Sequence, residues 1–253
     1  MKRFFSALPT QFKAATQFLT VFPVKSGSFP DKTTLSGAIA MFPLIGVALG
    51  FVLAVSNSVF SMAFPATVSS VLTVLVLVLL TGGLHQDGLA DTCDGIFGGS
   101  ESSKRLEIMR DSRIGTFGVL ALIADFLLKV YLITAIPATL KTPALIMMPL
   151  ASRWGMVLAL YLFKYARENG KAKAFFESMD TKTFVIGTAI ALASAFVFAK
   201  FNGLFIVVAA GVVVYIAGGF FEKKIGGMTG DTLGAMNEIC EIVALLLIVT
   251  ITH

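Results

Sequence analysis

The chain has 253 residues, of which 56% are hydrophobic and only 14% are charged, and its formal net charge is +5. Soluble domains carry roughly 25% charged residues, so this composition excludes an ordinary soluble domain and predicts a polytopic membrane protein. The basic balance does not indicate a nucleic-acid partner, because no basic and aromatic binding module accompanies it.

Seven apolar runs approach the ~20 residues that a helix needs to cross a bilayer. They predict transmembrane helices over residues 36–60, 68–84, 117–136, 144–163, 184–199, 204–221 and 232–252. Ahead of them, Phe12, Ala15 and Leu19 recur at helical spacing, which predicts an amphipathic helix on the membrane surface. The predicted fold class is therefore all-α, a polytopic helical bundle in one integral membrane domain over residues 1–253.

Basic residues concentrate in alternate connections between these runs. Those before the first span are Lys2, Arg3, Lys13, Lys25 and Lys32. Further groups separate the second span from the third and follow the fourth and the sixth, whereas the other connections hold only Lys141 and Lys200. Because basic loops stay in the cytoplasm, the N-terminus is predicted to be cytoplasmic, in a multi-pass protein of the cytoplasmic (inner) membrane. The two acidic stretches described next, residues 87–111 and 231–241, then lie on the cytoplasmic side, so an active site built from them is predicted to face the cytoplasm.

Nine of the fifteen carboxylates fall within residues 87–111 and 231–241, each stretch beside an apolar run. Such crowded like charges repel one another, and a divalent cation bound through oxygen ligands removes that repulsion. If the second helix continues past Leu84, then Asp87, Asp91 and Asp94 share one face at i, i+4 and i+7. The predicted Mg²⁺ ligands are Asp87, Asp91, Asp94, Asp231, Glu238 and Glu241.

Three arginines lie in and just after the first acidic stretch. Arginine grips phosphate with two parallel hydrogen bonds, so Arg105, Arg110 and Arg113 predict binding of a polyanionic substrate. His85 is a candidate general base, although a hydrogen-bonded interfacial role fits it equally well. The candidate catalytic residues are His85, Asp87, Asp91 and Asp94.

Other polar residues near the apolar runs have simpler expectations. Asp125 and Lys129, four residues apart, are expected to neutralise each other. Arg153 either reaches the membrane interface or meets a substrate phosphate. Asp231 is expected to cap the helix that starts after Gly230. The two cysteines predict no disulfide framework.

Three islands of sequence carry a family resemblance. The longest reads Gly-Gly-Leu-His-Gln-Asp-Gly-Leu-Ala-Asp-Thr-Cys-Asp-Gly over residues 82–95 and continues with Arg105 and residues 110–118. The second is Gly-Asp-Thr-Leu-Gly-Ala over residues 230–235 with Glu238 and Glu241, and the third is Phe-Leu-Thr-Val-Phe-Pro-Val over residues 18–24. Together they closely resemble the cobalamin synthase family, the adenosylcobinamide-GDP ribazoletransferases.

This resemblance implies an integral membrane enzyme that completes the nucleotide loop of vitamin B12. Its substrates would be adenosylcobinamide-GDP and α-ribazole, or α-ribazole 5′-phosphate, and its products adenosylcobalamin, or its 5′-phosphate, and GMP. The implied cofactor is Mg²⁺, held by the six carboxylates against the substrate diphosphate. Self-association and contact with other enzymes of the nucleotide loop stay open.

Two alternative functions remain. The Asp-x-x-Asp-Gly element at residues 91–95 is also similar to CDP-alcohol phosphotransferases, which synthesise phospholipids. That pattern expects an Ala-Arg pair soon after the glycine, where this chain has Ile96 and Phe97. A cation transporter is the alternative from another class, because carboxylates near transmembrane helices mark ion pathways. Its acids are expected at the bilayer midplane, whereas these acids stand at one edge.

Overall fold

The structure is a computed structural model that describes residues 2–23 and 30–252, with side chains described within 8–23 and 30–251. Val24, Lys25 and the side chains of Lys2 and Arg3, which the sequence predictions used, lie outside that description. The described chain forms eleven helices: α1 (Lys2–Leu19), α2 (Lys32–Ala40), α3 (Phe42–Ser61), α4 (Ala66–Thr81), α5 (Leu84–Gly98), α6 (Ser102–Ile108), α7 (Thr116–Ala135), α8 (Ala138–Leu162), α9 (Lys173–Ser178), α10 (Thr181–Ile225) and α11 (Gly230–Thr252).

The predicted all-α membrane class is confirmed by the length and apolarity of these helices. Five of those described, α3, α7, α8, α10 and α11, are long and apolar enough to cross a bilayer. The count is six if α4 and α5 together form one broken span, with α10 counted once although it turns back at Lys200. The number of seven crossings and the cytoplasmic N-terminus remain predictions.

The first predicted span, over residues 36–60, is wrong at its start. The chain breaks at Met41, so that α2 ends at Ala40 and the long apolar helix α3 begins at Phe42. Pro43 explains the break, because proline lacks the amide hydrogen that a continuous helix would use to bond the carbonyl of Ile39.

The 45-residue element α10 consists of two helical arms joined at Lys200, whose backbone is non-helical (φ 51°, ψ −135°). Trp154 of α8 contacts both of its arms. The Trp154 indole nitrogen donates to Thr188 at 3.1 Å, and a Cβ atom at Gly211 would lie 3.0 Å from its ring. Because Thr188 and Gly211 are similarly far from Lys200 along the chain, the arms lie side by side. This matches the placement of Lys200 between two predicted spans.

The second helix does not continue straight past Leu84, which corrects that expectation. Gly82 (φ 64°) and Gly83 (φ 70°) both adopt the left-handed conformation, which costs glycine little because it has no Cβ atom. Helix α5 consequently runs at 90° to α4. The acidic motif on α5 therefore crosses the end of the bundle instead of extending the axis of α4.

The most deeply buried helix is α8, which packs against α3, α10 and α11. The helix predicted near the N-terminus is present as α1, whose Ala15 and Leu19 are fully buried whereas Phe12 is exposed; its place on the membrane surface stays a prediction. The Phe18 ring is stacked parallel to the Phe42 ring and lies at a tilt against the Phe175 ring. Beyond α1, the amide of Val21 donates to the carbonyl of Leu80 at 2.8 Å, which holds this segment beside the α4–α5 bend.

Candidate active site at the crossing of α5 and α11

The two acidic stretches meet where α5 crosses α11. A Cβ atom at Gly88 would lie 2.7 Å from the Asp231 carbonyl oxygen, and one at Gly234 would lie 3.3 Å from the Gly88 Cα atom. Such a short approach between backbones is available only to residues without side chains. The glycines beside the acids therefore bring the first and second motifs together.

We expect Gly88→Ala to separate the two helices and impair the site. The added methyl group would meet backbone atoms, which cannot move aside as a flexible side chain would, and overpacking of this kind costs about 1–3 kcal/mol. Thermal unfolding in detergent measures the stability loss, and activity should fall with it. Gly98→Ala in the same helix is the matched control, because its Cβ would meet only Ile108, at 3.7 Å. Equal behaviour of the two variants would contradict the close crossing.

Three of the predicted acids face one another at this crossing. Asp87 is exposed and Asp91 is half-buried on α5, and Asp231 lies in the first turn of α11. Asp87, Asp231 and, more weakly, Asp94 are close enough to Asp91 to repel its negative charge. The structure therefore gathers Asp87, Asp91 and Asp231 around one surface, which stays electrostatically unfavourable unless cations approach it.

Arg167, a residue not among the predicted site residues, brings a positive charge to these acids. The guanidinium of Arg167 donates from Nη2 to Oδ2 of Asp231 at 2.7 Å, and its charge also acts on Asp91. In the sequence, Arg167 was used only as one of the basic residues after the fourth span that predict membrane orientation. Nothing in the local sequence connects it to Asp231, which lies 64 residues later.

The segment around Arg167 is attached directly to the start of α11. The amide of Ala166 donates to the Met228 carbonyl at 2.7 Å, and the amide of Met228 donates to the Lys164 carbonyl at 2.9 Å. Tyr165 lies in the same segment, and burial raises the pKa of its hydroxyl above the usual range. Arg167 is thus held in place by backbone pairing.

Asp231 does not cap α11, contrary to expectation. Thr229 does so, since its hydroxyl accepts from the Thr232 amide at 3.2 Å while the Thr232 hydroxyl accepts from the Thr229 amide at 2.7 Å. This reciprocal arrangement satisfies the free amides of the first turn. The carboxylate of Asp231 instead accepts from Arg167 and, at 3.3 Å, from the Thr229 hydroxyl, and it faces the site.

The carboxylate of Asp94 is bonded to backbone amides, although its charge also acts on Asp91. Its carboxylate oxygens accept from the amide of Gly115 at 2.7 Å and from the amide of Gly118 at 2.8 Å. These amides belong to the start of α7, and the first amides of a helix have no carbonyl acceptor within the helix itself. Asp94 therefore fixes the start of α7 against α5.

The three predicted phosphate-binding arginines are spread apart. Arg105 donates to the carbonyls of Ile96 and Lys224, at the ends of α5 and α10. Arg113 is 88% exposed and pairs with Asp111 at 2.6 Å, and its hydrogen bonds lower the pKa of Asp111 to about 2. Arg110 is exposed and close to Tyr165. Of the three, only Arg110 lies beside the segment that holds Arg167.

Glu238 and Glu241 lie deeper, in a buried ion network of three acids and two cations. Lys129 contacts Glu238, lies 2.8 Å from Glu241 and lies 3.1 Å from Asp125. The same Glu241 accepts from Arg153, which has no exposed surface. The expected Asp125–Lys129 pair thus extends to three carboxylates. Arg153 is fully buried against Glu241, so it does not reach the interface as one of the two expectations had it.

His85 joins the network to the crossing. It is 1% exposed, its Nε2 has no hydrogen-bond partner in the described part of the chain, and its charge neighbours are Arg153, Glu241 and Lys129. The next residue, Gln86, donates to Glu238 at 3.0 Å. The buried network therefore supports the first turn of α5 from beneath.

Two cavities open at the crossing and share Asp87. One of about 320 Å³ is bounded by α5, α11 and the segment of residues 165–172, including His85, Arg167 and Lys171. The other, of about 610 Å³, lies beside the α4–α5 bend and is bounded by Val21, Gly83 and Ile114. Phe18 and Leu84 line both. The two spaces thus adjoin at Asp87, and Asp231 lines the smaller one.

The carboxylates alone do not form a closed metal centre. Within residues 2–23 and 30–252, no three histidine, cysteine, aspartate or glutamate side chains are grouped closely enough to hold an ion. Mg²⁺, however, is commonly held by one or two carboxylates together with waters and substrate phosphates. The oxygen-only set of Asp87, Asp91 and Asp231 fits that kind of site, and the other three predicted ligands are engaged elsewhere.

The chain is similar to known proteins over almost its whole length. Residues 11–249 match the family model of cobalamin-5-phosphate synthase. The adenosylcobinamide-GDP ribazoletransferase of Desulforamulus reducens is 37% identical over 240 residues, covering 94% of this chain and 96% of that protein. The protein of the same name from Clostridium tetani is 36% identical over 244 residues, covering 96% of this chain and 97% of that protein. The one from Escherichia coli O45:K1 is 38% identical over 245 residues, covering 93% of this chain and 97% of that protein. No solved structure matches the chain significantly. The chain therefore belongs to the cobalamin-5-phosphate synthase family.

Proposed function

We propose that the protein is an adenosylcobinamide-GDP ribazoletransferase, which joins adenosylcobinamide-GDP to α-ribazole, or its 5′-phosphate, and releases GMP. Family membership supports the substrates, since the curated relatives carry that name. The observation that carries the chemistry is the meeting of Asp87, Asp91 and Asp231 with Arg167 beside two cavities. Two spaces at one charged centre suit a reaction between two substrates.

The reaction proposed is a displacement at phosphorus. A secondary ribose hydroxyl oxygen of α-ribazole, which is free in both α-ribazole and its 5′-phosphate, forms a bond to the phosphorus that stays with cobinamide. The bond between that phosphorus and the oxygen bridging to GMP breaks, and GMP leaves with the bridging oxygen. The hydroxyl proton passes to a carboxylate of the site or to His85, which lines the same cavity.

We assign Mg²⁺ as the cofactor, held by one or two of Asp87, Asp91 and Asp231 together with waters and the substrate diphosphate. When bound, the ion would neutralise the diphosphate and the charge that develops on the departing GMP. The protein's own contribution is to hold the three carboxylates on two rigidly crossed helices, so that the diphosphate is oriented between the two cavities. Asp94, Glu238 and Glu241 support this arrangement through α7 and the buried ion network.

We also propose that the enzyme lies in the cytoplasmic membrane. The distribution of basic residues supports a multi-pass protein of the cytoplasmic membrane with the α5–α11 crossing on the cytoplasmic side. Both substrates would then reach the site from the cytoplasm.

The proposed activity is tested by turnover in lipid vesicles. We expect the purified protein, given adenosylcobinamide-GDP, α-ribazole and Mg²⁺, to form adenosylcobalamin and GMP in equal amounts, and a chelator to stop both. Release of CMP from CDP-diacylglycerol and an alcohol, without corrinoid product, would instead identify the phospholipid-synthesis alternative. Ion flux without either reaction would support the transporter.

A further inference from the structure

Among the described arginines, Arg167 alone is hydrogen-bonded to one of the three acids at the crossing. Its side chain is 11% exposed. One nitrogen, Nη2, bonds Asp231, whereas Nε is buried without a hydrogen-bond partner in the described part of the chain. A buried donor left unbonded is costly, and substrate oxygens are a means of satisfying it.

Lys171 and Tyr165 line the same cavity of about 320 Å³. Gly170 lies directly against the Tyr165 hydroxyl, where any side chain would collide with it. The segment therefore presents a guanidinium, an ammonium and a protonated phenol to one space. All three are hydrogen-bond donors, which is the composition expected around a phosphate group.

We propose that Arg167, assisted by Lys171, binds the diphosphate of the nucleotide-bearing substrate, and that its ion pair with Asp231 opens for this purpose. The inference rests on the proposed function and names residues for the charged part of that substrate. Three carboxylates and one divalent cation leave a net negative charge, to which the diphosphate adds more. Arg167 and Lys171 supply the positive charge that balances the complex.

The positions of the other arginines favour this assignment. Arg105 is already bonded to two backbone carbonyls, and Arg113 is a solvent-exposed partner of Asp111. Arg153 is buried beneath the site against Glu241. Arg167, in contrast, lies between the carboxylates and an open cavity, within reach of an anion that enters there.

The test separates phosphate binding from a structural role in holding Asp231. In Arg167→Met we expect the KM for adenosylcobinamide-GDP, and the inhibition constant for GMP, to rise about ten-fold or more. The KM for α-ribazole should stay within about two-fold. Arg167→Lys should be intermediate, because lysine keeps the charge but loses the planar fork. Lys104→Met, an exposed lysine away from the crossing, is the control.

Binding of GMP to the intact protein in detergent, measured by calorimetry, gives a readout that does not depend on turnover. Loss of GMP affinity in Arg167→Met but not in Lys104→Met supports the inference even if no corrinoid product forms. Equal GMP affinity in wild type and Arg167→Met overturns it, as does an absence of GMP binding to wild type. If the enzyme is active, a lower turnover number in Arg167→Met with an unchanged KM for adenosylcobinamide-GDP also overturns the inference.

Discussion

Turnover is expected to fall by about 10³-fold or more when Asp91 is replaced by asparagine, while the protein stays folded and inserted. Asp91 experiences the charges of Asp87, Asp231 and Asp94. Asparagine keeps the shape of the side chain but removes the anionic oxygen needed by a hard cation such as Mg²⁺. Product formation in vesicles, measured over a range of Mg²⁺ concentrations, tests this, and size-exclusion profiles in detergent report folding.

Two further aspartates serve as comparisons for Asp91→Asn. Asp111→Asn alters an exposed carboxylate whose partner is Arg113, and it should retain near-wild-type turnover. Asp94→Asn should lower stability by about 0.5–2 kcal/mol, because one amide of the first turn of α7 loses its acceptor. Full activity of Asp91→Asn at saturating but not excessive Mg²⁺ would refute the metal assignment.

Removal of the central cation in the buried network is expected to have the largest effect on stability. Lys129→Met would leave Asp125, Glu238 and Glu241 around a methyl group, with only Arg153 to balance Glu241. Breaking a buried ion pair by deleting one partner costs about 3–5 kcal/mol, because the remaining charge cannot reach water. We expect little folded protein at ordinary temperature, measured by thermal unfolding in detergent.

A second substitution distinguishes this electrostatic cause from loss of packing. Glu238→Gln added to Lys129→Met removes one of the stranded charges and should restore part of the lost stability. A purely steric effect would leave the double variant no better than the single one. Lys104→Met, which breaks an exposed pair with Glu107, should be neutral within about 0.5 kcal/mol.

Local sequence was sufficient for those features that depend on neighbouring residues. The i, i+4, i+7 spacing of Asp87, Asp91 and Asp94 requires only a helix, and α5 provides it. The apolar runs likewise indicate membrane helices because burial of apolar side chains in lipid needs no particular partner. The reversal at Lys200 falls between two such runs and was predicted for that reason.

Position alone could not show what each acid contacts. Asp91 and Asp94 belong to one motif, yet the first faces the crossing and the second binds the amides of Gly115 and Gly118. Arg167 could not be connected to Asp231 either, because the pairing depends on backbone bonds between residues 164–166 and Met228. These contacts join residues far apart in the chain, and no spacing rule describes them.

The sequence by itself determined the class of protein, the positions of most long apolar helices and, through its motifs, the family. Composition and hydrophobic runs report on burial in lipid, which each helix experiences separately. Only the tertiary structure decided which charges share a site: Asp87, Asp91 and Asp231 with Arg167 at the surface, and Glu238 and Glu241 with Lys129 and Arg153 beneath. The physical reason is that charge pairing acts over a few ångströms, and the distances between groups on different helices are determined by packing at glycines such as Gly88 and Gly234.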